Sequence, residues 1–160
     1  MTNFKEAERE ALEFLRSKND VGVVATIDGS GGPFASPVYY VMGEGFNVFF
    51  LTSKNTNKAQ NLERNSKVAF SVGTGPEYAS VMIRGLASSA DSAEQNRVLP
   101  LLQEKMQKTN GADWPVRKLD ELKEQNLALY KISPEHVTFL NLHSSQEPQS
   151  GTEHLYHLLG

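Results

Sequence analysis

"VGVVATIDGSGGPFASPVYYVMGEGFNVFFLTS", residues 21–53, holds three apolar, β-branched runs separated by two glycine-rich breaks. Val21 to Ile27 has the length and branching of a buried strand. Asp28-Gly29-Ser30-Gly31-Gly32 then turns the chain. A glycine cluster of this kind belongs to a dinucleotide fingerprint only where it opens a helix. Here Pro33 and a second strand, Phe34 to Val41, follow, so the cluster is a hairpin turn. Met42-Gly43-Glu44-Gly45 makes the next turn, and Phe46 to Thr52 the third strand. Consecutive strands on tight turns specify an antiparallel sheet rather than βαβ units.

The pattern continues on both sides. Phe4, Ala7, Ala11, Phe14 and Leu15 share one helical face, and Asn3 with Glu6 makes a capping box, so residues 4–18 read as an amphipathic helix packed on its own domain. Thr56 to Arg64 forms a short helix, Lys67 to Val72 a fourth strand and residues 73–78 a loop. Ser80 to Ser89 is a fifth strand, with Gly85 at a bulge or close approach. Asp91 with Glu94 caps a helix running to about Thr109, and Asn110-Gly111 suits its C-terminus. Residues 113–125 read as loop plus a short helix. Asn126 to Ile132 is a sixth strand. Ser133-Pro134-Glu135-His136 reads as a turn into Val137–Leu142. The expectation is a mainly β domain over residues 1–142: a six-stranded antiparallel Greek-key barrel with peripheral helices. Residues 143–160 form a C-terminal tail, ordered only if Leu155, Tyr156, Leu158 and Leu159 find a groove.

A chain of 160 residues favours one domain, large enough to bury a core without staples. It has no cysteine, which removes disulfides, thiolate catalysis and cysteine zinc sites and agrees with a cytoplasmic location. The first twenty residues are charged throughout, with no signal-peptide core, and no apolar run approaches the ~20 residues that span a bilayer. A net charge of −3 argues against nucleic acid as a partner. His154 and His157 have no third ligand in the pattern, so no metal site is expected. His136 reads as a surface or capping residue. Tyr39 and Tyr40 point to opposite faces of their strand. Arg84 reads equally as an anion contact or a surface ion pair.

The sharpest functional signal lies where the third strand meets the short helix, in Thr52-Ser53-Lys54-Asn55-Thr56-Asn57-Lys58. Thr56 is placed to cap. Free N–H groups and the positive end of the helix dipole favour an anion there, and Lys58 adds charge. Hydroxyls at Thr52, Ser53 and Thr56 add donors. The same residues also serve an ordinary, solvated strand-to-helix connection, and spacing alone does not choose between the two.

Residues 23–72, with "SPV", "FFLTS" and "NKAQNLERN" in order, resemble the pyridoxamine-phosphate-oxidase-like flavin-binding split barrels, in particular their small general-stress-protein branch. "YKISPEHVTFL", 130–140, is similar to the closing strands of that family. The resemblance implies FMN, held non-covalently at a homodimer interface. It implies that Thr52 and Ser53 lie near the pyrimidine edge or ribityl chain, that Asn57 and Lys58 face the phosphate, and that Ser36, Pro37 and Val38 line the ring. Trp114, by the same likeness, approaches the flavin from the partner subunit; a plain core or interface aromatic is its other reading. The true oxidases carry arginine where Ser36 and Asn57 stand, and their C-terminal substrate segment has no counterpart here, so pyridoxamine phosphate oxidation is not expected. Two functions follow: a flavin oxidoreductase moving hydride from a reduced nicotinamide to a small acceptor, or a non-catalytic flavin-binding stress protein. Deazaflavin and haem are the alternative cofactors of this fold.

Overall fold

The computed structural model describes residues 4–17, 19–73, 79–110, 126–142 and 155–160. The expected capping box at Asn3, the loop at 74–78, the C-cap at Gly111, the segment around Trp114, and His154 lie outside the described residues. The elements run α1 (Phe4–Ser17), β1 (Val21–Ile27), β2 (Pro33–Met42), β3 (Val48–Ser53), α2 (Asn57–Arg64), β4 (Lys67–Val72), β5 (Ala79–Ser89), α3 (Ser92–Asn110), β6 (Leu127–Asn141) and β7 (Leu155–Leu159).

The strands hydrogen-bond in the order β3-β2-β1-β4-β5-β6, and a β3–β6 pairing closes the ring. The pairings around it are antiparallel. Three hairpin-linked strands with the fourth returning beside the first make a Greek key. The fold is therefore the expected mainly β, six-stranded antiparallel barrel with peripheral helices.

Alternation decides what fills it. Val24, Tyr40, Val48, Phe50, Phe70, Val81, Ile83, Ile132 and Phe139 are buried in one cluster, joined by Ala7, Ala11, Phe14 and Leu15 of α1. Phe4, expected on that face, is exposed instead. Tyr40 donates its hydroxyl to Leu15 O at 2.6 Å, which satisfies a buried phenol. A second cluster lies outside the barrel: Val98, Leu99 and Leu102 of α3 pack on Val41, Phe49 and Leu129. β3 is thus buried on both faces, which explains why Val48-Phe49-Phe50-Leu51 is continuously apolar. Asp91 and Glu94 form the expected capping box of α3, with reciprocal backbone bonds of 3.0 and 2.8 Å.

Ser133–His136 is not a turn. β6 runs on through it and takes up the irregularity as a bulge: Arg84 pairs with His136 and Gly85 with Pro134, which leaves Glu135 as the extra residue. At Gly85 a Cβ would collide with Ser133 O, so only glycine lets the backbones come this close. Proline at 134 lacks an N–H for the ladder and falls beside that bulge, where fewer ladder bonds are required. The long strand then serves two neighbours on one edge. Its first half, Leu127–Ile132, pairs with β3, and its second half, Val137–Leu140, pairs with β7.

β7 places Leu158 in the main core at 7% exposure and leaves Leu159 at 43%. Replacing a buried leucine by alanine costs about 2–5 kcal/mol. Urea unfolding of Leu158→Ala should show a loss in that range, while Leu159→Ala should stay close to the parent. Equal small losses would mean that β7 is not docked.

Candidate functional site

β2 and β3 part company early. β2 pairs with β1 from Pro33 to Tyr39 but with β3 only from Tyr40 to Met42. β3 spends its remaining residues, Leu51 to Ser53, on β6. A split therefore opens between the first half of β2 and the end of β3. Continuing the register beyond the Tyr40–Phe50 pair sets Val38 level with Thr52 across it. Pro37 has no N–H to give and occupies the part of β2 that β3 leaves unpaired, where proline is tolerated.

α2 lies over this end of the barrel. Ala59 and Leu62 enter the core, and the buried Asn61 amide donates to Thr26 Oγ1 on β1 at 3.0 Å. That buried bond fixes where the helix begins. Thr56 is its N-cap, in extended conformation, and accepts from Ala59 N at 3.3 Å.

Proton accounting orders the polar turn. Thr56 donates its hydroxyl hydrogen to Ser53 O at 2.8 Å. Thr52 must then be the donor in its 3.1 Å contact with Thr56 Oγ1. Lys58 Nζ in turn donates to Thr52 Oγ1 at 3.3 Å. One of the three ammonium hydrogens is used. Among the described residues Lys58 has no carboxylate partner. Burial pushes the half-buried ammonium below the ordinary lysine value. The backbone N–H groups of Asn57 and Lys58 find no acceptor among the described residues, as expected of a first helical turn. Donors thus outnumber acceptors around a cation with no counter-ion.

Thr52, Thr56 and Lys58 are brought into contact, with Ser53 in the same turn and Asn57 exposed at the helix start. Ser36 and Val38 lie on the inward face of β2, with Tyr40, and Pro37 lies on the exposed outer face. Ser36 Oγ is buried and, among the described residues, has no hydrogen-bond partner. Trp114 lies outside the described residues. These residues suit a phosphate-bearing ligand: among the described residues an ammonium without a counter-ion and two amides without acceptors gather at the start of α2, and an orphaned buried hydroxyl lies on the half of β2 that β3 leaves unpaired.

Tyr130 is the residue that sequence reasoning misses. It stacks on Phe50 with centroids 5.6 Å apart, and its hydroxyl has no hydrogen-bond partner among the described residues. Burial and then the charge of Glu63 on α2 raise its pKa, which places the phenol near this helix. In "LALYKI" nothing distinguishes it from a core aromatic. Tyr40 proves to be core, and Arg84 and His136 are exposed on the outer sheet face. A separate open cleft of about 410 Å³ lies between Glu44, Asn47, Phe49 and the start of α3; none of the predicted residues lines it. No three His, Cys, Asp or Glu side chains gather among the described residues, and no described helix is long and apolar enough to cross a membrane.

The family model for pyridoxamine 5'-phosphate oxidase matches residues 7–141. No curated protein sequence matches the chain. Solved structures with the same fold include General Stress Protein 26 from Bacillus anthracis, at 22% identity, with 86% of this chain and 98% of that one covered and a TM-score of 0.56. An FAD-binding protein from Mesorhizobium loti is 19% identical over 82% of this chain and 91% of that one, with a TM-score of 0.62. A heme binding protein from Mycobacterium smegmatis is 17% identical, with a TM-score of 0.63; the match covers 86% of this chain and 55% of that one.

Removing the Thr56 hydroxyl takes away the cap and should lower stability by about 0.5–2 kcal/mol. Lys58→Met removes a half-buried cation with no counter-ion and should not lower stability at all. Parallel urea titrations check both. A large loss for Lys58→Met would make the lysine a structural residue.

Proposed function

The chain belongs to the pyridoxamine 5'-phosphate oxidase family, and from that premise we propose that it binds a flavin, FMN, in the β2–β3 split. The observation that carries this reading is Lys58: a half-buried cation, oriented by Thr52 and Thr56, beside two unused amides at the start of α2. An anion is what such a site lacks. Lys58 and the Asn57 and Lys58 amides hold the phosphate. Ser36 Oγ, Thr52 and Ser53 serve the ring edge and ribityl, and Val38 excludes water from the ring. Pro37, on the outer face of β2, reaches the ring of the second copy. Trp114 of the second copy completes the cleft, as the family resemblance implies.

When bound, the flavin supplies hydride or electron transfer, which no side chain here can supply. The chain's own residues bind, orient and shield. Among the described residues no carboxylate or imidazole contacts Lys58, and the reaction we propose is hydride passage from a reduced nicotinamide to a small acceptor. Serine at 36 and asparagine at 57, where the true oxidases hold arginines, support an activity other than pyridoxamine phosphate oxidation. The fold is shared by FAD-binding and heme-binding proteins. The cradle favours flavin, because it presents hydroxyls, amides and an ammonium rather than a histidine or thiolate for an iron.

A homodimer belongs to the same proposal. The outer face of β1, β4 and β5 exposes Val21 at 44%, Met82 at 51% and Leu86 at 41%. α3 covers β2 and β3 instead. A two-fold pair would bury the exposed face and form two equivalent clefts. Light scattering should return twice the 17.7 kDa chain mass at micromolar concentration, and Met82→Glu should shift it toward one chain. A single-chain mass for the parent would contradict the dimer.

A charge-assisted hydrogen bond contributes about 1.5–3 kcal/mol, so Lys58→Ala should weaken FMN roughly ten- to a hundredfold. Riboflavin, without phosphate, should bind Lys58→Ala as it binds the parent. Lys54→Ala, in the same turn but exposed, is the control and should change neither. Flavin fluorescence titration of the apo forms reads all of these. Equal losses for FMN and riboflavin in Lys58→Ala would move the lysine from the phosphate to the fold.

A further inference from the structure

Resting on the flavin reading, we propose that Asn126 is a positioning residue for the phosphate cradle: its left-handed backbone holds the polar turn between β3 and α2, and through that turn it sets Thr56 and Lys58. Among the described residues Asn126 is the one non-glycine residue with positive φ, at 55°. Asparagine enters this region more readily than most side chains. Asn126 O accepts the Lys54 N–H at 2.9 Å, and Asn126 Nδ2 donates to Asn55 Oδ1 at 3.1 Å.

Those two bonds take hold of the corner of a turn. Thr56 N donates to Ser53 O at 3.1 Å, which makes Ser53–Thr56 a β-turn with Lys54 and Asn55 at its centre. The β3–β6 ladder sets Thr52 against Ala128 and Ser53 against Leu127, and ends there. One residue further on, Asn126 bonds both central residues of the turn from outside it. The turn delivers Thr56, whose hydroxyl donates to Ser53 O and caps α2 by accepting Ala59 N. Thr56 Oγ1 also meets Thr52 Oγ1, to which Lys58 donates. A turn that lifted away from Asn126 would part these hydroxyls and carry the first amides of α2 with it. Thr52 and Ser53 would keep their places in the ladder. The phosphate contacts therefore depend on Asn126, and the ring-edge contacts do not. The asparagine–asparagine bond is exposed and competes with water, so the backbone conformation that aims the Asn126 carbonyl is what positions the turn.

The test replaces Asn126 by glycine, which adopts the left-handed conformation freely, and by valine, whose branched side chain opposes it. Amide exchange in the apo full-length proteins reads the turn without a ligand. The Lys54 N–H should be protected in the parent and in Asn126→Gly, and should exchange roughly tenfold faster in Asn126→Val while the core amides of β4 and β5 keep the parent rates. Titration with FMN and riboflavin, followed by flavin fluorescence, reads the cradle. Asn126→Val should weaken FMN roughly tenfold and leave riboflavin within about twofold, whereas Asn126→Gly should keep FMN within about threefold. Glycine losing as much FMN affinity as valine would overturn the inference, because conformation would not then position the turn. Parent-like exchange or parent-like FMN affinity in Asn126→Val also overturns it, as do equal losses of FMN and riboflavin, which mark a damaged fold. In each of these the flavin reading stands. A parent protein that binds neither flavin overturns that reading, and the role of Asn126 in the cradle with it.

Discussion

A barrel has to satisfy both edges of every strand, and in the ring of six the first half of β2 lacks a neighbour on its β3 side. β2 is ten residues long and β3 six. Once β3 has committed its end to β6, the first half of β2 has a neighbour only on the β1 side. The polar turn of the candidate site lies beside that opening. α2 is docked on this end of the barrel by Ala59, Leu62 and the Asn61–Thr26 bond, and its first amides have no acceptor among the described residues. The same rule explains β6, which gives one edge to β3 and then to β7 and so stays paired along most of its length.

Packing and chemistry are divided between the two faces of β3. Phe49 and Leu51 serve α3 on the outside, and Phe50 and Thr52 face the barrel. Thr52 is therefore a buried hydroxyl whose hydrogen-bonding capacity is met by Thr56 and Lys58. The relay from Lys58 through Thr52 and Thr56 to the Ser53 carbonyl holds the ammonium in place without neutralising it. A carboxylate partner would have stabilised the lysine more and left it nothing to bind.

Most of the architecture was legible because local signals agree with each other. Asp28 to Gly32 turns the chain, Asp91 and Glu94 cap α3, Thr56 caps α2, and Gly85 marks the bulge, each a short-range effect that a single sequence carries. The reading of Ser133–His136 as a turn failed because Ser-Pro is a turn signal only where the chain is free to turn. Here β5 pairs with β6 on both sides of the segment, so the irregularity shrinks to one extra residue, Glu135, opposite the Arg84–Gly85 step, and that cross-strand hold is not visible in the local sequence. The pairing of Leu155–Leu159 with β6 is equally non-local. For the site, residue types pointed to Thr52, Thr56 and Lys58, which meet. They could not point to Tyr130, whose stacking on Phe50 depends on the register between β3 and β6.

The central claim is that the unpaired lysine and free amides at the barrel's opening hold a flavin. The absorption spectrum of the purified protein after incubation with flavin and removal of the excess tests it most directly. The account predicts the two-banded spectrum of an oxidised isoalloxazine, retained in stoichiometric amount. A colourless protein, or one that shows only a haem Soret band, would contradict it.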